Sequence, residues 1–232
     1  MSKSFIILAS DPSGILILVG VVFFIGIISY YFSRRAMVRR ALNNRQQKRI
    51  ADYQEGENGK IIGKAVFAGE TLYAPLSGRE CTWYHVRVQE YRSSGKSGHW
   101  QTIIEEAKKG DVVISDGSGY AIVDTRNTKA FLVSDVNYRS GTFNDATPEL
   151  ESFLQRHNLK SVDFLGFNKS LRYEEGVLER GETFAVAGQC FWNESRDHKL
   201  NIPSSKVLVV TVGAQEETVF VSDDPEATAA GQ

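Results

Sequence analysis

Two cysteines and four histidines in 232 residues leave little from which to build a metal centre or a redox pair. Structural zinc takes four thiolate or imidazole ligands, usually supplied in CxxC-like pairs. Cys81 and Cys190 form no such pair, and no HExxH spacing joins His85, His99, His157 and His198. The sequence therefore predicts neither a metal site nor a cofactor. No GxSxG nucleophile elbow occurs. The glycine-rich stretch Asp116-Gly117-Ser118-Gly119 is flanked by strand-forming residues, so it reads as a hairpin turn rather than a phosphate cradle. Cys81, between a turn and an apolar strand, reads as a buried structural thiol. Glu174-Glu175, beside Arg172, reads as a paired-charge surface, and no catalytic residue is assigned.

Positive charge is scarce in most of the chain. From Ala51 onward there are 19 Lys plus Arg against 27 Asp plus Glu. Nucleic-acid binding draws on Lys and Arg to neutralise phosphates, so a nucleic-acid partner is excluded from the expectations. The basic residues gather instead between Ser33 and Ile50, where Arg34, Arg35, Arg39, Arg40, Arg45, Lys48 and Arg49 occur with no acid.

Charge is missing altogether from Gly14 to Phe32. A helix over this run reaches roughly 28 Å, the thickness of a bilayer's hydrocarbon core. The run ends in bulky Tyr30, Tyr31 and Phe32 rather than a small-residue cleavage site, which argues against a signal peptide. The expectation is a single-pass transmembrane helix over 14–32, preceded by a short tail, 1–13. By the positive-inside rule, Arg34, Arg35, Arg39 and Arg40 place the C-terminal part in the cytoplasm and the N-terminus outside. A basic juxtamembrane stem over 33–58 follows, touching the lipid bilayer.

From Gly59 to Asp224 no Ser-, Gly- or Pro-rich linker interrupts the chain, which predicts one domain. Strand signals fall at Lys60–Phe67, Thr82–Tyr91, Trp100–Ala107, Asp111–Ser115, Tyr120–Asp124 and Lys129–Val136, a meander of hairpins. Further strands fall at Leu171–Leu178, Thr183–Phe191 and Lys206–Val212, with a short one at Thr218–Val221. One helix interrupts them: Thr147 caps it, Pro148 opens it, and Leu150, Phe153 and Leu154 share a face that should pack on the sheet. The fold class is mainly β (α+β), a single N-terminal transmembrane helix followed by one β-rich domain, 59–224, with one packed helix. The small polar tail 225–232 reads as disordered.

The stretch Pro75-Leu76-Ser77-Gly78-Arg79-Glu80-Cys81-Thr82-Trp83-Tyr84, the helix, Arg172-Tyr173-Glu174-Glu175 and the run from Leu178 to Gly188 (LERGETFAVAG) occur in an order that resembles the GIDE family. That family includes a mitochondrial membrane E3 ubiquitin ligase, whose membrane-adjacent region is the BAM ("beside a membrane") domain. The resemblance covers about Gly59 to Phe191 and implies structural roles for Pro75, Gly78, Cys81, Tyr84, Gly181 and Gly188. It also implies the alternative that the domain lies on the periplasmic or intermembrane-space side. The ligase carries a RING finger, whose zinc ligands this sequence lacks. The expected function is accordingly a membrane-anchored, non-catalytic protein-interaction or scaffolding module with a membrane-associated protein or a second copy as partner. The alternative is a ubiquitin-protein transferase or other enzyme.

Overall fold

The computed structural model describes residues 15–16, 18–23, 26, 33–95, 97–141, 144–198, 201–214 and 217–229. Five strands close on themselves. β1 (Glu57–Phe67) pairs antiparallel with β5 (Val112–Ser115) on one edge and with β10 (Thr183–Glu194) on the other. β5 turns into β6 (Tyr120–Val123), β6 runs parallel to β11 (Lys206–Thr211), and β11 returns to β10. Ile61, Val112, Ile114, Phe184, Val186, Leu208 and Val210 fill the resulting barrel, all fully buried. Gly188 permits the closure: a Cβ there would stand 2.8 Å from the Thr211 carbonyl oxygen. Beyond β10 the sheet continues through β12 (Val219–Ser222) to β7 (Thr128–Phe131), which forms its edge.

A second sheet makes a half-barrel. β3 (Glu80–Ser94) pairs with β2 (Leu72–Tyr73), with β4 (Ser97–Lys109) and with β9 (Leu171–Glu179), and β9 pairs with β8 (Val136–Ser140). Its concave face is covered by α2 (Pro148–Arg156), whose Leu150, Phe153 and Leu154 are fully buried against Tyr84, Val86, Val88 and Leu171. The helix forms as its sequence implies: the Thr147 hydroxyl accepts the Leu150 N–H, Pro148 opens the first turn, and Glu149 and Glu151 sit at the positive end of the dipole. Trp83 and Leu178, paired across β3 and β9, belong to the barrel core and join the two sheets.

Helix α1 (Arg34–Asn43) lies on the outside of β7, β10 and β12. It buries Val38 and Leu42 against Ala185, Ala187 and Ala227, the last from the short helix α3 (Pro225–Thr228). The stretch expected to be a basic juxtamembrane stem is partly a packed helix, and Ile50 beyond it enters the barrel core. Residues 225–228 of the expected disordered tail are helical, with Asp224 accepting the Glu226 N–H as an N-cap.

The transmembrane expectation is corrected. Gly14 and Phe32 lie outside the described residues, and the described parts of the run between them, Ile15–Leu16, Leu18–Phe23 and Gly26, are helical. A span needs about 20 continuous apolar residues in one helix. No helix among the described residues is long and apolar enough to cross a membrane. The fold is a mainly β protein, barrel plus half-barrel with short helices, and the single-pass anchor and the topology drawn from it are not supported. Two of the arginines on which that topology rested have a second physical explanation. Arg35 donates from Nε to Asp224 at 2.7 Å, and Arg39 donates to Glu226, so they join α1 to the acidic start of α3.

Candidate functional site

A cleft of about 680 Å³ opens where the half-barrel faces β7 and the start of α1. The alternation of β3 builds one wall. Tyr84, Val86 and Val88 point into the half-barrel core, so Trp83, His85 and Arg87 face the other way, into the cleft. β4 adds Glu105 and Lys109, and β9 adds Glu174. The opposite wall is apolar in part: Ala130 and Phe131 of β7, with Leu132 after it. Arg34 and Arg35, in the first turn of α1, stand at the rim.

Most of these charges are paired within the cleft. His85 Nε2 lies 3.1 Å from Glu105 Oε1, Arg87 donates to Glu174 at 2.5 Å, and Arg34 stands 3.7 Å from Glu105. His85, the largest cause, and then Arg34 and Arg87 hold the Glu105 carboxyl below its ordinary range against the opposing effect of burial. Lys109 sits over the Trp83 ring, 4.8 Å from its centroid, and donates to the Thr125 carbonyl at 2.9 Å. Burial lowers its pKa. The lining carries Arg34, Arg35, Arg87 and Lys109 against Glu105 and Glu174, an excess of positive charge on an otherwise acidic body.

The residues singled out by the family resemblance lie elsewhere. Pro75 and Gly78 form the turn between β2 and β3, where the Gly78 N–H reaches the Ala74 carbonyl at 2.9 Å and Gly78 takes φ +70. Gly181 occupies the β9–β10 turn at φ +79. Cys81 and Cys190 are free and fully buried. Burial, followed by the charges of Glu175 and Glu179, pushes the Cys81 thiol up to about 11; burial pushes Cys190 to about 12. Both are protonated at neutral pH, the reverse of what a nucleophile requires. Tyr84 donates to Glu106 at 2.7 Å, and His157 Nε2 meets the other oxygen of that carboxylate at 2.9 Å, which ties the end of α2 to β3 and β4.

Glu175 departs most from its sequence reading. It is not a surface charge but 0 % exposed, and its carboxylate accepts the N–H groups of Leu76 (2.8 Å) and Ser77 (2.9 Å). Two stretches quoted for the family resemblance, the Pro75–Gly78 turn and Arg172–Glu175, therefore meet at one buried carboxylate. The period of β9 carried the signal: Tyr173, Glu175 and Val177 share a face, and two of the three are apolar.

The Asp116–Gly119 stretch is a hairpin turn, with Gly117 at φ +85 and the Asp116 carboxylate accepting the N–H groups of Ile50 and Ser118, both at 2.8 Å. Among the described residues no group of three or more His, Cys, Asp and Glu is placed to hold a metal ion. No family model matches the chain, and comparison with curated proteins and with solved structures finds no match.

Proposed function

We propose that the chain is a non-catalytic protein-interaction module whose cleft takes an extended, acid-bearing segment of a partner protein. One observation carries the reading: the cleft is bordered by β7, the edge strand of the seven-stranded sheet, and its cationic residues outnumber its anionic ones. A strand added beside β7 gains main-chain hydrogen bonds, while Arg34 and Lys109 meet its carboxylates. His85 and Arg87 are each engaged by a carboxylate of the cleft, Glu105 and Glu174, which supports reading them as parts of a preformed binding wall. The resemblance to the GIDE/BAM family belongs to the same proposal, as a family of interaction domains rather than of transferases.

The test is site-specific photocrosslinking in cells. A photoreactive residue at Thr128 or Asn137, both on the cleft lining, is expected to capture one defined protein. The adduct should disappear in Lys109→Glu and persist in a distant surface variant. Equal capture from Ser152 on the exposed side of α2, or transfer of ubiquitin by the purified chain, would remove the proposal.

A further inference from the structure

The least covered large apolar side chains in the body sit together on one turn. Phe164 is 94 % exposed, Leu165 65 % and Phe167 66 %. They project from a stem closed by the Val162–Asn168 bridge and by the Lys169 N–H donating to Ser161 at 2.7 Å. The backbone of the turn is satisfied from within. The Asp163 carboxylate accepts the N–H groups of Leu165 (2.8 Å) and Phe167 (2.9 Å), the Asp163 carbonyl accepts that of Gly166, and the Phe167 carbonyl accepts that of Asp163. Gly166 supplies the positive φ the turn needs, +84. The shape is fixed with the apolar groups outward, and nothing among the described residues covers them.

We propose that this turn is a lipid-surface contact: Phe164, Leu165 and Phe167 enter the acyl boundary of a bilayer while Lys160 and Lys169 meet headgroup phosphates. Three features favour a lipid surface over a protein pocket. The tip is convex, so it fits a deformable medium. Four amide donors of the turn are already used internally, so the tip offers area with few donors for a partner's backbone and enters an apolar medium with few unpaired N–H groups. Finally, Lys160 and Lys169 flank the stem, Lys160 exposed and Lys169 half-buried 3.8 Å from Glu90, which suits anionic headgroups. The nearby acids Asp163 and Asp145 keep their charge while accepting neutral amide donors, and Glu90 pairs with Lys169, so the apolar tip carries the contact and the lysines add only an increment on anionic lipid. The contact involves no spanning helix.

The experiment uses the full chain with an environment-sensitive fluorophore on Leu165→Cys, since both native thiols are buried. On phosphatidylcholine vesicles its emission should shift to the blue and be quenched by acyl-chain nitroxides, more strongly when phosphatidylserine is included. The same probe on Lys206→Cys, on the other sheet, should stay aqueous. Phe164→Ser with Phe167→Ser should weaken the response at least tenfold, and Lys160→Glu with Lys169→Glu should remove only the phosphatidylserine increment. The proposal fails if the 165 probe remains aqueous on vesicles that carry the protein, or if both probes shift alike. It fails equally if the 165 probe shifts without vesicles as protein concentration rises, which would assign the tip to a protein contact.

Discussion

The barrel and the half-barrel hide their apolar faces by different means. In the barrel, β1, β5, β6, β11 and β10 each pair on both edges, so closure itself encloses Ile61, Ile114, Phe184 and Leu208. The half-barrel stays open and relies on a nine-residue helix laid across it. A closed ring spreads its stability over many strands, whereas an open sheet concentrates it in its cover. The same contrast holds for two buried carboxylates. Glu175, in the half-barrel, has an N–H donor on each oxygen. Asp223, at the end of β12, accepts the Val133 N–H on Oδ1 while its buried Oδ2 has no partner. One carboxylate holds a turn in place; the other is tolerated.

The largest effect should come from the cover. Phe153→Ala should destabilise the protein by about 4 kcal/mol, read by denaturant unfolding. Hydrogen exchange should then show β3 and β9 amides losing protection before those of β1 and β10. Uniform loss would mean that Trp83 and Leu178 fuse both sheets into one cooperative unit. Next comes Glu175→Ala, which strands the amides of Leu76 and Ser77; a loss of about 3 kcal/mol is expected, with Glu175→Gln, which keeps one acceptor, costing less. If the two variants melt alike, the carboxylate does not hold the turn.

Asp223→Asn should act in the opposite direction. Burial, reinforced by the charges of Glu182 and Asp135, pushes the Asp223 carboxyl up to about 7, from 3.8 when unfolded. The folded state therefore retains a proton that the unfolded state has released. Below pH 4 the group has no effect; stability falls as pH rises from about 4 to 7, and the loss is complete above that. The amide variant keeps the acceptor for Val133 and avoids the penalty. It should be more stable at pH 8 and unchanged at pH 3.5, measured by thermal unfolding across pH. A gain that does not vary with pH would show that ionisation is not the cause.

Most strands were legible because their signal is local. The alternation from Thr82 to Tyr91 separated Tyr84, Val86 and Val88, in the half-barrel core, from His85 and Arg87, in the cleft, and from Trp83, which lies between the cleft and the barrel core. The helix opening at Pro148 was written in its cap and apolar spacing. The stretch Lys129–Val136 split into β7 and the start of β8, because β7 pairs in parallel with β12, some ninety residues later, and no local pattern records that partner. The same blindness affected the basic stretch. Its arginines read as a topology signal, and their acids, Asp224 and Glu226, stand at the far end of the sequence. The cleft was invisible for that reason also, since its walls come from β3, β4, β7, β8, β9 and α1. Glu175 and the Phe164–Phe167 tip were within reach of pattern reasoning, the first by strand period and the second as apolar residues within a turn.

Arg35 belongs both to the cleft rim and to the clasp on Asp224, 189 positions away. The first turn of α1 and the first turn of α3 therefore share a corner of the molecule. Ser33, the residue that caps α1, lines the cleft as well, so a change that loosens the Asp224 clasp would be felt at the cleft mouth without touching any residue of its strands.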